Sequence, residues 1–263
     1  MHTLFVLLSM ISVVIIGTGN LASHLFEAFK NNKEATVVQV VGRSEVSLSE
    51  YAKQVATASL DNITPNADVY ILAVSDNAIP TVAKQFKLKD KLLVHTSGAT
   101  SIDVLKEHSK RGVFYPLQTF TKGKKVDFSS IALCLEAQEQ TDLELLEKLA
   151  NAISKKVYLM SSEQRKALHV AAIFASNFSN FMYAKAEEVC QDYQIPFEML
   201  HPLILETAKK IEQLPPKEAQ TGPARRGDIT TLEAHKELIK NNTNKEIYSL
   251  ISEGIMHTYG KKL

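Results

Sequence analysis

Several features that mark particular protein classes are scarce in this chain of 263 residues. It has only two cysteines, Cys134 in a predicted strand and Cys190 in a predicted helix, and neither belongs to a C-x-x-C pair or a Cys/His cluster. That spacing speaks against a disulfide framework and against zinc, so both thiols read as reduced core residues. The eight histidines are scattered without an H-x-x-x-H pair, and no metal is expected. Charge of one sign is also lacking, with 30 basic against 29 acidic side chains and no long basic run. Such a balance offers no field for nucleic acid or an anionic membrane, so a small-molecule partner has to be argued from a site. There is no internal repeat and no low-complexity segment.

Long apolar runs are short of the roughly 18 residues that a membrane span needs. The opening MHTLFVLLSMISVVIIG has the apolar character of a signal peptide but lacks a basic leading region, and it flows straight into the turn at Gly17. The expectation is a cytoplasmic protein whose first strand lies inside this stretch. MISVVIIGTG is a complete strand entry by itself, so translation is expected to begin at Met10. With 45% hydrophobic and 22% charged residues, the remainder has the composition of a globular protein of one large or two ordinary domains.

The most informative segment is ISVVIIGTGNLASHLF, residues 11–26. A β-branched apolar run breaks at Gly17-Thr18-Gly19-Asn20-Leu21-Ala22 and resumes with helical spacing. In the G-x-G-x-x-A form of the dinucleotide fingerprint, Gly17 permits the tight turn and Gly19 lets the backbone approach a pyrophosphate. Ala22 lets helix and strand pack closely. The pyrophosphate would sit on the free N–H groups at the helix start near Asn20. A second buried strand, Thr36–Val41, ends at Gly42-Arg43-Ser44. An NAD site usually places an acidic residue there for the ribose hydroxyl, whereas Arg43 with Ser44 suits a 2′-phosphate, which points to NADP.

Downstream, a helix over Ser47–Gln54 and strands over Val55–Ser59, Ala67–Val74, Lys91–His95 and Gly112–Tyr115 follow at βαβ spacing. Val74-Ser75-Asp76 closes the fourth strand, with Ser75 or Asp76 expected to cap the next helix, Asn77–Gln85, at the carboxyl edge where ligands of such sheets bind. Ser130–Leu135, a helix Thr141–Ser154 and Lys156–Met160 extend the pattern. From Ser162 to about Asp192 there is neither glycine nor proline, and the spacing predicts one long, largely buried helix. Helices over Pro196–Gln213, Thr230–Asn241 and Asn244–Tyr259 follow, Thr230-x-x-Glu233 reading as a capping box. Leu214–Gly222 reads as the one extended, proline-containing connection. The fold class is α/β: a mostly parallel sheet of Rossmann type over residues 1–160, then an all-α domain over 161–263.

Two groups of residues carry chemistry. On the long helix His169, Ser176, Asn177 and Asn180 interrupt the apolar run. At 100° per residue Ser176 falls about −20°, Asn180 about +20° and Asn177 about +80° from His169, one polar stripe. Buried polar groups need partners, so the stripe faces a cleft, a ligand or another helix. Imidazole titrates near neutrality, which makes His169 the candidate proton donor, an internal hydrogen-bond network or a helical interface being the other reading. The second group is Thr221-Gly222-Pro223-Ala224-Arg225-Arg226-Gly227-Asp228. Here Arg226 and Asp228 either hold each other or reach a substrate anion, or Asp228 simply leads into a helix.

The combination GTGNLASHL, HTSGA, YPLQTF, HVAAIFASNF and TGPARRGD resembles bacterial Rossmann-like proteins whose C-terminal half is a domain of unknown function. These are related to pyrroline-5-carboxylate reductases, deazaflavin-dependent NADP oxidoreductases and the 6-phosphogluconate dehydrogenase-like group. The resemblance covers residues 11–255. It implies an NADP-binding domain, a helical dimerisation domain giving a homodimer, and a cleft between the two domains. Ser97, Gly98, Gln118, His169, Asn177 and Asp228 match recurring positions. The related hydroxyacid dehydrogenases carry a Lys and an Asn one turn apart, whereas here His169 is followed at that spacing by Ile173. Tyr115 stands where relatives often have His. The expected activity is NADPH-dependent reduction of a small carbonyl or imine compound, a 2-oxo acid such as ketopantoate being suggested by some relatives. His169 would donate the proton, Asn177 and Ser97 would orient the substrate, and Gly98, Gln118, Ser176, Asn180, Arg226 and Asp228 would line its site. The alternative is an NADP-binding protein without turnover.

Overall fold

The computed structural model describes residues 10–259. The proposed start at Met10 concerns the stretch before it, which lies outside the described residues. The chain divides between Ile173 and Phe174 into two compact units.

The first unit is built on eight strands in the order β3-β2-β1-β4-β5-β6-β7-β8. They are β1 (Ile11–Ile16), β2 (Ala35–Val41), β3 (Ala56–Ala58), β4 (Val69–Leu72), β5 (Leu92–His95), β6 (Arg111–Pro116), β7 (Ala132–Ala137) and β8 (Lys156–Leu159). All neighbours pair parallel except β6 and β7. The order reverses between β1 and β4, where Ile16 lies beside Val41 on one side and Leu72 on the other. At such a switch point the flanking connections leave on opposite faces and open a crevice at the carboxyl edge.

The near-continuous apolar character of the strands has a direct cause. Val13, Ile15, Val69, Ile71, Leu92 and Val94 enter one core, while the alternate residues Val14, Ile16, Tyr70, Leu72 and Leu93 enter a second core across the sheet. Both faces are covered, so neither phase of the strand period can be polar. Helix α1 (Asn20–Phe29) closes the first face with Ala22, Leu25, Phe26 and Phe29, a helical repeat, all buried. Helices α2 (Glu45–Ser49), α3 (Ile79–Gln85) and α4 (Gln140–Asn151) complete the layers. The expected side-chain cap before α3 is not made. A 3₁₀ turn, Asp76–Ala78, intervenes, and neither Ser75 nor Ala78 offers a side-chain cap bond.

The long helix is present from Ser162 to Asp192, but it is α5 (Ser162–Ala172), a π-helical turn (Ile173–Phe178) and α6 (Ser179–Asp192). A π turn is wider than an α turn, so an angular stripe laid out at 100° per residue loses its register between His169 and Asn180. Helix α5 begins with a reciprocal capping box of Ser161 and Gln164 and goes with the first unit, later than the change of composition at 160/161 suggests.

The second unit is all helical: α6, α7 (His201–Lys210), α8 (Pro216–Ala219), α9 (Pro223–Arg226), α10 (Ile229–Leu238) and α11 (Asn242–Tyr259). Helix α8 occupies part of the connection expected to be extended. The cap of α10 is Asp228, which accepts from the Thr231 backbone at 3.1 Å, in place of the Thr230 capping box. Asp228 stands ahead of Thr230 and is at least as good an N-cap, so the helix starts earlier. The expected burial of the long helix is not met in the single chain: Phe174, Phe178, Phe181 and Tyr183 are exposed. Among the described residues no helix is long and apolar enough to cross a membrane.

Candidate active site

At the switch point the first unit holds a groove of about 590 Å³ lined by Gly17, Thr18, Gly19, Asn20, Leu21, Arg43, Val74 and Ser75, together with Leu60, Ala78 and Thr81. Gly17 has φ +133°, and a Cβ there would stand 2.1 Å from the Ala73 carbonyl oxygen. Only glycine lets β1 turn this closely past β4. Gly19, by contrast, has nothing within 4 Å of where its Cβ would be. Open space above a bare helix start is what a pyrophosphate requires, and α1 begins at Gly19 with no side-chain cap. The cradle therefore fits a dinucleotide. Asn20 uses its amide to hold the Phe120 carbonyl at 3.0 Å, so its contribution to that site is through the backbone. Arg43 lines the exposed rim, and Ser44 caps α2 by accepting from Ser47 N at 3.4 Å.

Further along the same edge, β5 ends in a loop that contains Ser97 and Gly98. The Ser97 hydroxyl is engaged within it, accepting from the backbone of Ala99 (3.1 Å) and Thr100 (3.0 Å) and donating to Thr100 Oγ1 (2.9 Å). These bonds give Ser97 a part in shaping the loop. Tyr115 lies two residues beyond Val113, the partner of His95, and so stands level with Ser97. Its hydroxyl is 3.2 Å from His169 Nδ1 on α5. A Cβ on Gly98 would sit 2.7 Å from that nitrogen and 2.8 Å from the Tyr115 oxygen. Glycine is required here because two side chains close over the backbone.

Burial pushes the Tyr115 phenol up to about 12, with the nearby Cys134 and the Asp76 carboxylate adding to it and Arg165 opposing. Tyr115 accordingly keeps its proton and can donate it to His169 Nδ1. A neutral imidazole that accepts this bond carries its ring proton on Nε2. Beneath the loop, burial and then the Arg165 charge hold His95 down at about 4, so it is neutral. Burial raises the Cys134 thiol to about 11.

Arg165 is fully buried, and its guanidinium donates to the Ser97 carbonyl (3.1 Å), the Thr100 carbonyl, Ser162 Oγ (3.1 Å) and the Glu136 carboxylate. Tyr115, His95, Glu136 and Arg165 line or brace this candidate site and were not singled out for it from the sequence. A charged residue one helical turn before a candidate histidine was the available signal for Arg165. Gln118 is exposed and accepts from its neighbour Thr119.

The second unit carries the remaining candidates. Ser176 and Asn177 lie on the π turn and Asn180 follows it on α6, all exposed. Asp228 accepts from both the backbone and hydroxyl of Thr231, bonds that hold its carboxyl below the usual range, with the Arg226 charge helping. Arg225 ties down the preceding loop through the carbonyls of Glu218 and Gln220, while Arg226 is exposed.

A family model described as an NADP oxidoreductase, coenzyme F420-dependent, matches residues 12–98, and one for a domain of unknown function, DUF2520, matches residues 131–255. A Bacteroides fragilis protein of known structure, provisionally titled an NADP oxidoreductase, is 38% identical, with 95% of this chain and 99% of that one covered at a TM-score of 0.87. The chain belongs to this family. The fold is shared more widely. An imine reductase from Myxococcus stipitatus in complex with NADP⁺ is 16% identical over 95% of this chain and 96% of that one, with a TM-score of 0.69. A 1-pyrroline-5-carboxylate reductase from Streptococcus pyogenes is 15% identical over 94% and 99%, with a TM-score of 0.64. No curated protein matches the chain. Family membership makes it an NADP-dependent oxidoreductase, so the enzymatic reading outweighs that of a cofactor-binding protein without turnover.

Proposed function

We propose that this chain reduces a small imine or carbonyl compound with NADPH, His169 supplying the proton. The observation that carries the reading is the Tyr115–His169 pair closed over Gly98, at the same sheet edge as the dinucleotide groove. When bound, NADPH would supply a hydride to the electrophilic carbon of the substrate. Gly17, Gly19 and the start of α1 would hold its pyrophosphate, and Arg43 would meet the 2′-phosphate. Tyr115 fixes the His169 ring, and His169 protonated at both nitrogens passes its Nε2 proton to the nitrogen or oxygen of the reduced bond, returning to the neutral imidazole with its Nδ1–H held by the Tyr115 oxygen. Asn177 is the residue proposed to orient that heteroatom. Arg226, with no side-chain partner among the described residues, is proposed to meet a substrate carboxylate.

The natural setting proposed is the cytoplasm, where the buried thiols Cys134 and Cys190 stay reduced. The working assembly proposed is a homodimer through the helical unit, whose exposed aromatic residues support it. The test is NADPH oxidation against cyclic imines and 2-oxo acids, ketopantoate included. Turnover is expected with at least one of them, and His169→Ala should lower kcat by about 100-fold or more. Full turnover by that variant would remove His169 from the role.

A further inference from the structure

The residue that most sharply departs from its surroundings is Arg165, a guanidinium with no solvent exposure on a helix that is otherwise largely exposed. Burying a cation is costly unless it is paired and fully hydrogen-bonded, so such a group is retained only where its bonds accomplish something. Its bonds run to three separate pieces of chain. Two donors grip the carbonyls of Ser97 and Thr100, on either side of Gly98 and Ala99. A third meets Glu136 on β7, and Glu136 in turn accepts from the Ser162 backbone (3.0 Å) and hydroxyl (2.8 Å) at the start of α5. Ser162 Oγ also accepts from Ile102 N at 2.9 Å. The glycine loop, the antiparallel strand and the first turn of α5 are thereby locked together.

Arg165 and His169 are four residues apart on α5 and therefore share a face of the helix. The loop that Arg165 grips is the one whose Gly98 touches both His169 and Tyr115. One guanidinium thus sets both sides of the contact, the backbone that forms its floor and the helix that carries its imidazole. We propose that Arg165, with Glu136 and Ser162 as its anchors, is the positioning residue for the Tyr115–His169 pair. The proposal rests on the reading of His169 as proton donor only for its effect on turnover; the geometric claim stands apart from it.

The test uses the full chain with ¹⁵N-labelled histidine, the His169 signal being identified by its disappearance in His169→Gln. In the wild type the His169 nitrogens should report a single tautomer with the proton on Nε2, and Tyr115→Phe should abolish that preference. Arg165→Met should do the same and lower kcat on a cyclic imine by about 100-fold, with NADPH affinity changed by less than about twofold. Arg165→Lys, a point charge that cannot grip both carbonyls, should fall between. Folded Arg165→Met protein that keeps the wild-type His169 signature would overturn the proposal. Should that variant not fold, Ser162→Ala decides in the same way, through partial loss of the signature or its full retention. A wild type with the fixed tautomer but no turnover on any imine or 2-oxo acid would overturn the proposed function and leave the positioning claim to the nitrogen signals.

Discussion

The sheet unit and the helical unit bury their apolar residues in different ways. In the first, whole strands are inaccessible, and two cores sandwich the sheet. In the second, the buried apolar residues among the described ones are Cys190, Ala224, Leu232 and Ile239, while Phe174 is 65% and Met199 70% exposed. The first unit has the burial of a finished domain. The second has helices without enough interior to account for their apolar faces. The difference teaches that the apolar pattern is satisfied within the single chain in the sheet unit, whereas in the helical unit it leaves exposed faces, which the proposed homodimer would cover.

The comparison can be broken most forcefully at Gly17. An alanine there meets the Ala73 carbonyl in a conformation that L-residues rarely adopt, so Gly17→Ala should cost about 3 kcal/mol or more and weaken NADPH binding at least about 100-fold. Cofactor titration by fluorescence together with urea unfolding checks both effects. A variant with normal stability and affinity would mean that the turn is not as tight as described.

A second expectation concerns acid. The His95 value of about 4 lies below its ordinary 6.5, so between these values the unfolded chain binds a proton that the native one refuses. The resulting stability is complete above pH 6.5 and is lost as pH falls toward 4, by about 3 kcal/mol in all. His95→Asn, which keeps an acceptor for the Ser97 N–H, should flatten this part of the urea-midpoint profile; an unchanged slope would assign it elsewhere.

The smallest effect on the first unit should come from the second. Phe174→Ser with Phe178→Ser should leave NADPH affinity within about twofold while lowering the mass seen by light scattering from dimer to monomer. A wild type already monomeric at micromolar concentration would instead require that these faces be covered within one chain.

What was legible in the sequence follows the same division. Strands such as Val69–Leu72 were readable because a residue buried on either face must be apolar, a constraint written in every position. The groove around Gly17 was readable because a close backbone approach admits one residue type. The Tyr115–His169 contact was not, since its members lie 54 residues apart and neither neighbourhood names the other. The π turn at Ile173–Phe178 carries no glycine or proline to betray it, and its spacing is that of an α-helix. Arg165 on α5 reads as a solvated charge until the loop and strand that enclose it are in place.

The reversed pairing of β6 with β7 has one more consequence. Because β7 runs back beside β6, their connection, residues 117–131, needs no crossing of the sheet and stays at the carboxyl edge, where the Phe120 carbonyl accepts from Asn20 and its ring packs at a tilt on His24, centroids 5.0 Å apart. The segment's core side chains, Phe128 and Ile131, are fixed, but natural selection can rewrite the exposed residues 121–125 without disturbing a single strand register. Among descendants of one ancestral scaffold, it is a place where new substrate preferences can be tried at little risk to the fold.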